Sequence, residues 1–207
     1  MIKIKNSDIG AFFDECAQNS VFESFAPGDE EKLTALFKRW NIGPGMRIVE
    51  PGCGAGRLTE RLADAVGHNG FVYAFDLSGE MIRRAQARNL PGCVQFACGS
   101  VETIPVEDSS FDIAVCFNVF PHFSDPPAAL DELHRVLKPG GQLWINHFRN
   151  RASLNEMHRN ASQVIIAHEL PDGAEMKRLF TGHGFSVTEL LDSAKTEYSL
   201  LAVASDI

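Results

Sequence analysis

Val49-Glu50-Pro51-Gly52-Cys53-Gly54-Ala55-Gly56 is the stretch on which the fold turns. It leaves a short apolar run, 46–50 (MRIVE), of strand character, and opens a segment, 57–66, with helical spacing of its apolar residues. Glycines at alternate positions let the backbone turn tightly between the two. A ligand can then approach the loop N–H groups and the positive end of the helix that follows. The spacing is G-x-G-x-G rather than the dinucleotide pattern G-x-G-x-x-G. Twenty residues beyond Gly56, Asp76 closes a second apolar run, 71–75 (FVYAF). An acid there accepts hydrogen bonds from ribose hydroxyls, and Ser78 is the better-placed cap for the next helix. Turn and acid together specify a nucleoside-bearing cofactor at the carboxyl edge of a parallel sheet.

Outward from this core, helix and strand signals alternate. Asp29–Trp40 carries Leu33, Leu36, Phe37 and Trp40 at helical spacing behind an acidic first turn, and Gly43-Pro44-Gly45 ends it. A capped helix is expected at 78–89, stopped by Pro91-Gly92, then strands at 94–97 and 111–117. A helix at 125–137 has prolines in its first turn, where a missing N–H costs nothing, and a strand follows at 141–148. Such alternation argues for βαβ units and a parallel sheet. The tail departs from it: a helix at 174–183 precedes strands at 185–192 and 199–204, joined by too few residues for a parallel crossover and so expected to be antiparallel.

Length and composition bound the function. The chain has 207 residues, 44% of them hydrophobic and 22% charged, with formal net charge −8, which suits one globular domain. No apolar run reaches the roughly 18–20 residues that cross a bilayer, and no apolar stretch stands behind the first lysines as a secretory signal would require. An acidic chain is a poor partner for phosphate backbones and anionic lipid, so neither nucleic acid nor membrane is an expected partner. The cysteines, at 16, 53, 93, 98 and 116, form no C-x-x-C and read as free thiols in a reducing cytoplasm.

The same residues resemble a known family, the class I S-adenosylmethionine-dependent methyltransferases. The resemblance is carried by the E-x-G-x-G-x-G loop from Glu50 to Gly56 and the D-x-S-x-x-M run of Asp76, Ser78 and Met81. Ser109-Ser110-Phe111-Asp112 and Arg135-Val136-Leu137-Lys138-Pro139-Gly140-Gly141 complete it. It covers about residues 40 to 148 strongly and implies a Rossmann-like, doubly wound α/β fold. That fold has a mostly parallel seven-stranded sheet with an antiparallel C-terminal strand and helices on both faces. The expected organisation is a single domain over 1–207: an N-terminal helical cap (1–28), a cofactor-binding core (29–148), an acceptor-side insert (149–170), and a C-terminal helix and strand pair (171–207).

The resemblance also implies roles. Gly52, Cys53 and Gly54 would run along the methionine part of S-adenosylmethionine, with Glu50 at its amino end, Asp76 on the ribose, and Leu77 and Met81 flanking the adenine. The family usually has an acid after the third strand; this chain has Ser100, followed by Val101, whose backbone N–H would face the ring. Phe117 and Asn118 would floor the reactive sulfonium. After methyl transfer the pocket would hold S-adenosylhomocysteine.

Two stretches stand outside the alternation. The first 28 residues hold Ile9, Phe12, Phe13, Val21, Phe22 and Phe25, too apolar for a solvated tail, and 149–170 holds His158, His168, Arg149, Arg151 and Arg159. Both are expected over the sheet edge, as core extension or as a lid. His122 and His147 are the candidate general bases, each set near the carboxyl edge and each equally readable as a loop imidazole hydrogen-bonded in place. The histidines lack metal-ligand spacing, and no metal is expected. The arginines read either as a site for an anionic acceptor or as a solvated helix face. Asn118-Val119-Phe120-Pro121 lacks the paired prolines typical of enzymes that methylate base amines or glutamine amides. With Phe120, Phe123 and Phe148, it points to a small-molecule acceptor in a partly apolar pocket. The competing classes are a nicotinamide-dependent oxidoreductase, which the glycine spacing disfavours, and a cofactor-binding module without catalysis.

Overall fold

The computed structural model describes residues 5–19, 23–162, 164–166, 168–192 and 197–205. In chain order the helices are α1 (Asn6–Gln18), α2 (Asp29–Trp40), α3 (Arg57–Val66), α4 (Gly79–Gln86), α5 (Pro126–Val136), α6 (Arg151–Arg159) and α7 (Gly173–Gly182). The strands are β1 (Arg47–Pro51), β2 (Phe71–Asp76), β3 (Val94–Cys98), β4 (Phe111–Phe117), β5 (Leu137–His147), β6 (Phe185–Leu191) and β7 (Tyr198–Ala204). They form one sheet in the order β3-β2-β1-β4-β5-β7-β6. The first five strands are parallel to one another, and β7 runs antiparallel between β5 and β6. The Rossmann-like α/β expectation, including the antiparallel terminal pair, holds.

Period-two alternation divides the strands between two cores. Ile48, Val72, Ala74, Ile113, Val115 and Trp144 face Leu33, Leu36 and Trp40 of α2 and Leu58, Leu62 and Val66 of α3. Val49, Tyr73, Ala114, Cys116 and Ile145 face Leu130, Leu133 and Val136 of α5 and Met176 and Phe180 of α7. A buried polar chain crosses the sheet: Trp40 Nε1 donates to Asn146 Oδ1 at 2.9 Å, and Asn146 Nδ2 donates to Ser199 Oγ at 2.7 Å. Each group is satisfied, so the chain pins α2, β5 and β7 in one register.

β1 pairs with both β2 and β4, and the direction of winding reverses there. Ligands of open α/β sheets bind at this switch point, outside the carboxyl ends of the strands. Pairing of Pro51 with Phe75, Asp76 with Cys98 and Phe117 with Asn146 aligns those ends along one edge.

Two boundaries differ from the sequence expectation by more than one residue. β5 starts at Leu137 rather than 141, because Lys138-Pro139-Gly140-Gly141 forms a bulge inside the strand; the register jumps between Phe111 and Ile113 opposite it. Gly140 has φ 73°, a left-handed conformation suited to glycine. α4 ends at Gln86, short of 89, although Ser78 caps it as expected, its hydroxyl accepting from Met81 N at 3.0 Å. Of the apolar N-terminal residues, Val21 and Phe22 lie outside the described residues. No helix among the described residues is long and apolar enough to cross a membrane.

Candidate active site

The glycine loop is stapled to β2. Gly52 N and Cys53 N both donate to the Phe75 carbonyl, at 2.7 and 3.1 Å. Gly54 N donates to one carboxylate oxygen of Asp76 and Ser78 N to the other, each at 2.9 Å. Asp76 therefore shapes the loop as well as facing the cavity. Burial pushes its carboxyl above the usual carboxylate range, while the two N–H donors pull it back.

Gly52 has φ 69°, and a Cβ there would lie 2.2 Å from Val119 Cγ2 and 2.8 Å from Val119 Cβ. A β-branched neighbour on a loop cannot swing clear of both contacts. Gly52→Ala is expected to lower the melting temperature by several degrees, a cost of about 1–3 kcal/mol, and to weaken cofactor binding. Thermal scans and calorimetry check both; an unchanged variant would show the loop to be slack.

Glu50 is 2% exposed and accepts from Thr59 Oγ1 at 2.7 Å. Burial, with a smaller contribution from Asp76, pushes its carboxyl up to about 8. Burial thus favours the protonated form of Glu50.

Ser100 does not act alone. Its hydroxyl donates to Glu102, which also accepts from Asn6 Nδ2 at 3.0 Å, Ser124 Oγ at 2.9 Å and Asp125 N at 3.2 Å. A carboxylate two residues further along thus stands beside the Ser100 hydroxyl. Glu102 also fastens the first turn of α1 to the end of β3. Asp14 of α1 accepts from Ser78 Oγ at 2.5 Å and Glu80 N at 3.0 Å, which docks α1 against α4.

One cavity of about 260 Å³ collects the sequence candidates. Glu50, Gly52, Cys53, Gly54, Asp76, Leu77, Met81, Ser100, Val101, Phe117 and Asn118 all line it, as do His122 and His147. Glu102, Phe13, Phe148, Arg149, Leu154, Met157 and His158 join them. Of the three arginines, only Arg149 lines the cavity. Arg151 pairs with Asp192 at 3.5 Å and Arg159 with Glu169 at 2.6 Å, so these two serve the surface.

The far end of the cavity is a cluster of imidazoles. His122 Nδ1 lies 2.9 Å from His168 Nδ1, and the His122 ring centroid is 5.0 Å from that of His158 and 5.2 Å from that of His168. The Phe13 ring meets His122 edge-on, with centroids 5.3 Å apart. His158 Nδ1 contacts the His168 carbonyl. His147, 1% exposed, has no hydrogen-bond partner among the described residues for either ring nitrogen. Sequence spacing hid this assembly because α6 and its return must fold back first. Asn155 secures that return, donating to Leu170 O at 3.0 Å and accepting from Leu170 N at 2.8 Å.

Burial lowers the pKa of all four imidazoles. His147 falls to about 3, with His158 adding to the effect. Its folded value lies below its unfolded one, so its contribution to stability is full above pH 6.5 and is lost as pH falls from 6.5 towards 3. One protected imidazole is worth about 2 kcal/mol between pH 6.5 and 5. The urea midpoint is expected to fall over that range, and His147→Gln to flatten the dependence; equal slopes in both proteins would contradict it.

A methyltransferase-domain family profile matches residues 49–145. The O-methyltransferase rstn1 of Aspergillus nomiae is 30% identical over 173 residues, covering 80% of this chain and 76% of that protein. An uncharacterized 37.1 kDa protein in transposon TN4556 of Streptomyces fradiae is 43% identical over 138 residues, covering 59% of this chain. This chain spans only 40% of that protein's length. A crystal structure of a methyltransferase from Aquifex aeolicus superposes with a TM-score of 0.69 over 97% of this chain and 98% of that one. At 24% identity it is a likeness of fold. The alternation, the glycine loop and these relatives agree: the chain belongs to the class I S-adenosylmethionine-dependent methyltransferase family, and S-adenosylmethionine is its cofactor.

Proposed function

We propose that this chain transfers a methyl group from S-adenosylmethionine to a small organic acceptor seated between Phe13, His122, His147, Phe148 and α6. The observation that carries the reading is that the glycine-loop residues and His122, His147 and His158 line one shared cavity. The likeness to an O-methyltransferase supports it.

In this reading the backbone of Gly52, Cys53 and Gly54 holds the methionine portion and Glu50 meets its amino group. Asp76 accepts from the ribose hydroxyls. Leu77 and Met81 flank the adenine, the backbone N–H of Val101 faces the ring, and Ser100 and Glu102 stand at its polar edge. Phe117 and Asn118 floor the reacting centre. When bound, the cofactor supplies a methyl group already activated on a positively charged sulfur. The chain's task is then to align the acceptor and keep water out, for which Phe13, Phe148, Leu154 and Met157 provide apolar walls.

The N-terminal 28 residues act as the cap, 29–148 as the cofactor core, 149–170 as the acceptor-side insert and 171–207 as the closing helix and strand pair, all within one domain. A reducing cytoplasm is the proposed setting, with the described cysteines all unpaired, and neither nucleic acid nor membrane is a proposed partner.

His147→Ala and Arg149→Ala are expected to reduce methyl transfer while leaving S-adenosylhomocysteine affinity within about threefold, roughly 0.7 kcal/mol. Labelled-methyl assays over an acceptor panel, paired with calorimetry, test this. Proportional loss of binding and turnover would move these residues to the cofactor side. Binding without turnover of any acceptor would favour a non-catalytic module.

A further inference from the structure

On the methyltransferase reading, the imidazole end of the cavity is where the acceptor is recognised. His122 lines the cavity; His168 does not, and stands behind it on the return from α6. Two Nδ1 atoms 2.9 Å apart share one hydrogen, so one ring donates and the other accepts. The groups facing His122 are His147 of β5, His158 of α6, His168 of the return and the Phe13 ring of α1. Glu169 acts on His158 and is ion-paired with Arg159. A second observation points to a ligand. His147 is buried on the same cavity with both ring nitrogens unpartnered among the described residues, a state that costs about 1–3 kcal/mol unless a bound group completes it.

We propose that this end of the cavity is a subsite for a neutral acceptor bearing a phenol-like hydroxyl, with His122 as the base and His168 as the positioning residue that sets its tautomer. If His122 donates its Nδ1–H to His168, its Nε2 presents a lone pair to the acceptor. The reverse arrangement makes Nε2 a donor and useless as a base. Neutral imidazoles cannot balance an anionic acceptor but do accept from a hydroxyl. A phenolic hydroxyl, of ordinary pKa about 10, is within reach of an imidazole once charge develops. Arg149, lining the same cavity, favours the oxyanion as it forms.

In the step, the hydroxyl oxygen bonds to the methyl carbon as the carbon–sulfur bond breaks and its electron pair stays on sulfur. The hydroxyl proton goes to His122 Nε2, while the Nδ1–H of His122 stays on His122 and remains hydrogen-bonded to His168 Nδ1. The positive charge that began on sulfur ends on the His122 imidazolium, and no other reactant is needed.

The test is nitrogen-15 NMR of histidine-labelled protein bound to S-adenosylhomocysteine, with His122 assigned through His122→Gln. The expected result is a His122 that carries its hydrogen on Nδ1 and keeps Nε2 bare. In His168→Phe that tautomer should be lost. In His168→Asn it should be retained, because the amide oxygen lies where Nδ1 was.

On a panel of phenols, catechols and matched anilines and thiols, turnover is expected with the hydroxyl compounds. His168→Phe should cut kcat at least tenfold with KM within threefold, and His168→Asn should restore most of it. A hydrogen on Nε2 of His122 in the wild type, an unchanged tautomer in His168→Phe, or methylation confined to anilines and thiols would each overturn the proposal. So would stoichiometric metal held by the cluster. Loss of S-adenosylhomocysteine binding in the wild type would instead overturn the methyltransferase reading beneath it.

Discussion

Asp76→Ala is expected to weaken S-adenosylhomocysteine binding at least a hundredfold, about 2.7 kcal/mol. Two losses combine. In the proposed complex the carboxylate accepts from the ribose, and charged hydrogen bonds are worth about 1.5–3 kcal/mol. Before any ligand arrives, the same carboxylate holds Gly54 N and Ser78 N at 2.9 Å each. Alanine therefore also releases the loop that lies along the rest of the cofactor, so its ordering must be repeated at every binding event. Asp76→Asn separates the contributions. It keeps the volume and one acceptor oxygen, but turns an NH₂ group towards one of the two N–H donors. Its affinity is expected to fall between the other two proteins. Calorimetry decides: affinity unchanged in Asp76→Ala would remove Asp76 from the ribose and leave it only the loop.

The loop and Asp76 were legible in the sequence because their roles are local. A glycine with positive φ and an acid at a strand end declare themselves within a few residues. The imidazole cluster was not, since His122 and His168 are 46 residues apart and meet only after α6 has formed and Asn155 has clamped Leu170. Glu102 was hidden for a different reason. Family spacing directs attention to Ser100, and only the geometry at the end of β3 lets the next acid reach back to that hydroxyl. The start of β5 is hidden in the sequence because Pro139-Gly140-Gly141 has the composition of a turn. A bulge accommodates the same residues without ending the strand. The apolar N-terminal residues were read as packed over the sheet edge, but nothing local indicates that Asn6 and Asp14 anchor α1 through Glu102 and Ser78.

Glu50→Gln is expected to make the ligand-free protein more stable and the cofactor complex weaker. Glu50 is buried at the end of β1, where its carboxyl is pushed up to about 8 from 4.5. Between those values the folded state holds one more proton than the unfolded state, so wild-type stability falls as pH rises through the window and the full loss is reached above pH 8. Glutamine accepts the Thr59 hydroxyl equally well but has no charge to bury. At about 1.4 kcal/mol per pH unit the upper limit of the gain is about 4–5 kcal/mol, and relaxation around a buried acid brings it nearer about 2–3 kcal/mol. For a chain of this size that is about 4–12 °C in melting temperature, largest at pH 9 and vanishing near pH 5. Binding runs the other way. A cationic amino group beside Glu50 favours the carboxylate, so cofactor binding to the wild type at pH 7 releases a proton, visible as a buffer-dependent heat in calorimetry. Glu50→Gln should lose that release and about ten- to a hundredfold in affinity. On the proposed role, the buried acid costs stability before ligand binds because its charge is needed only when the ligand is present. A variant with unchanged melting behaviour and undiminished affinity would show that Glu50 only supports Thr59 and takes no part in binding.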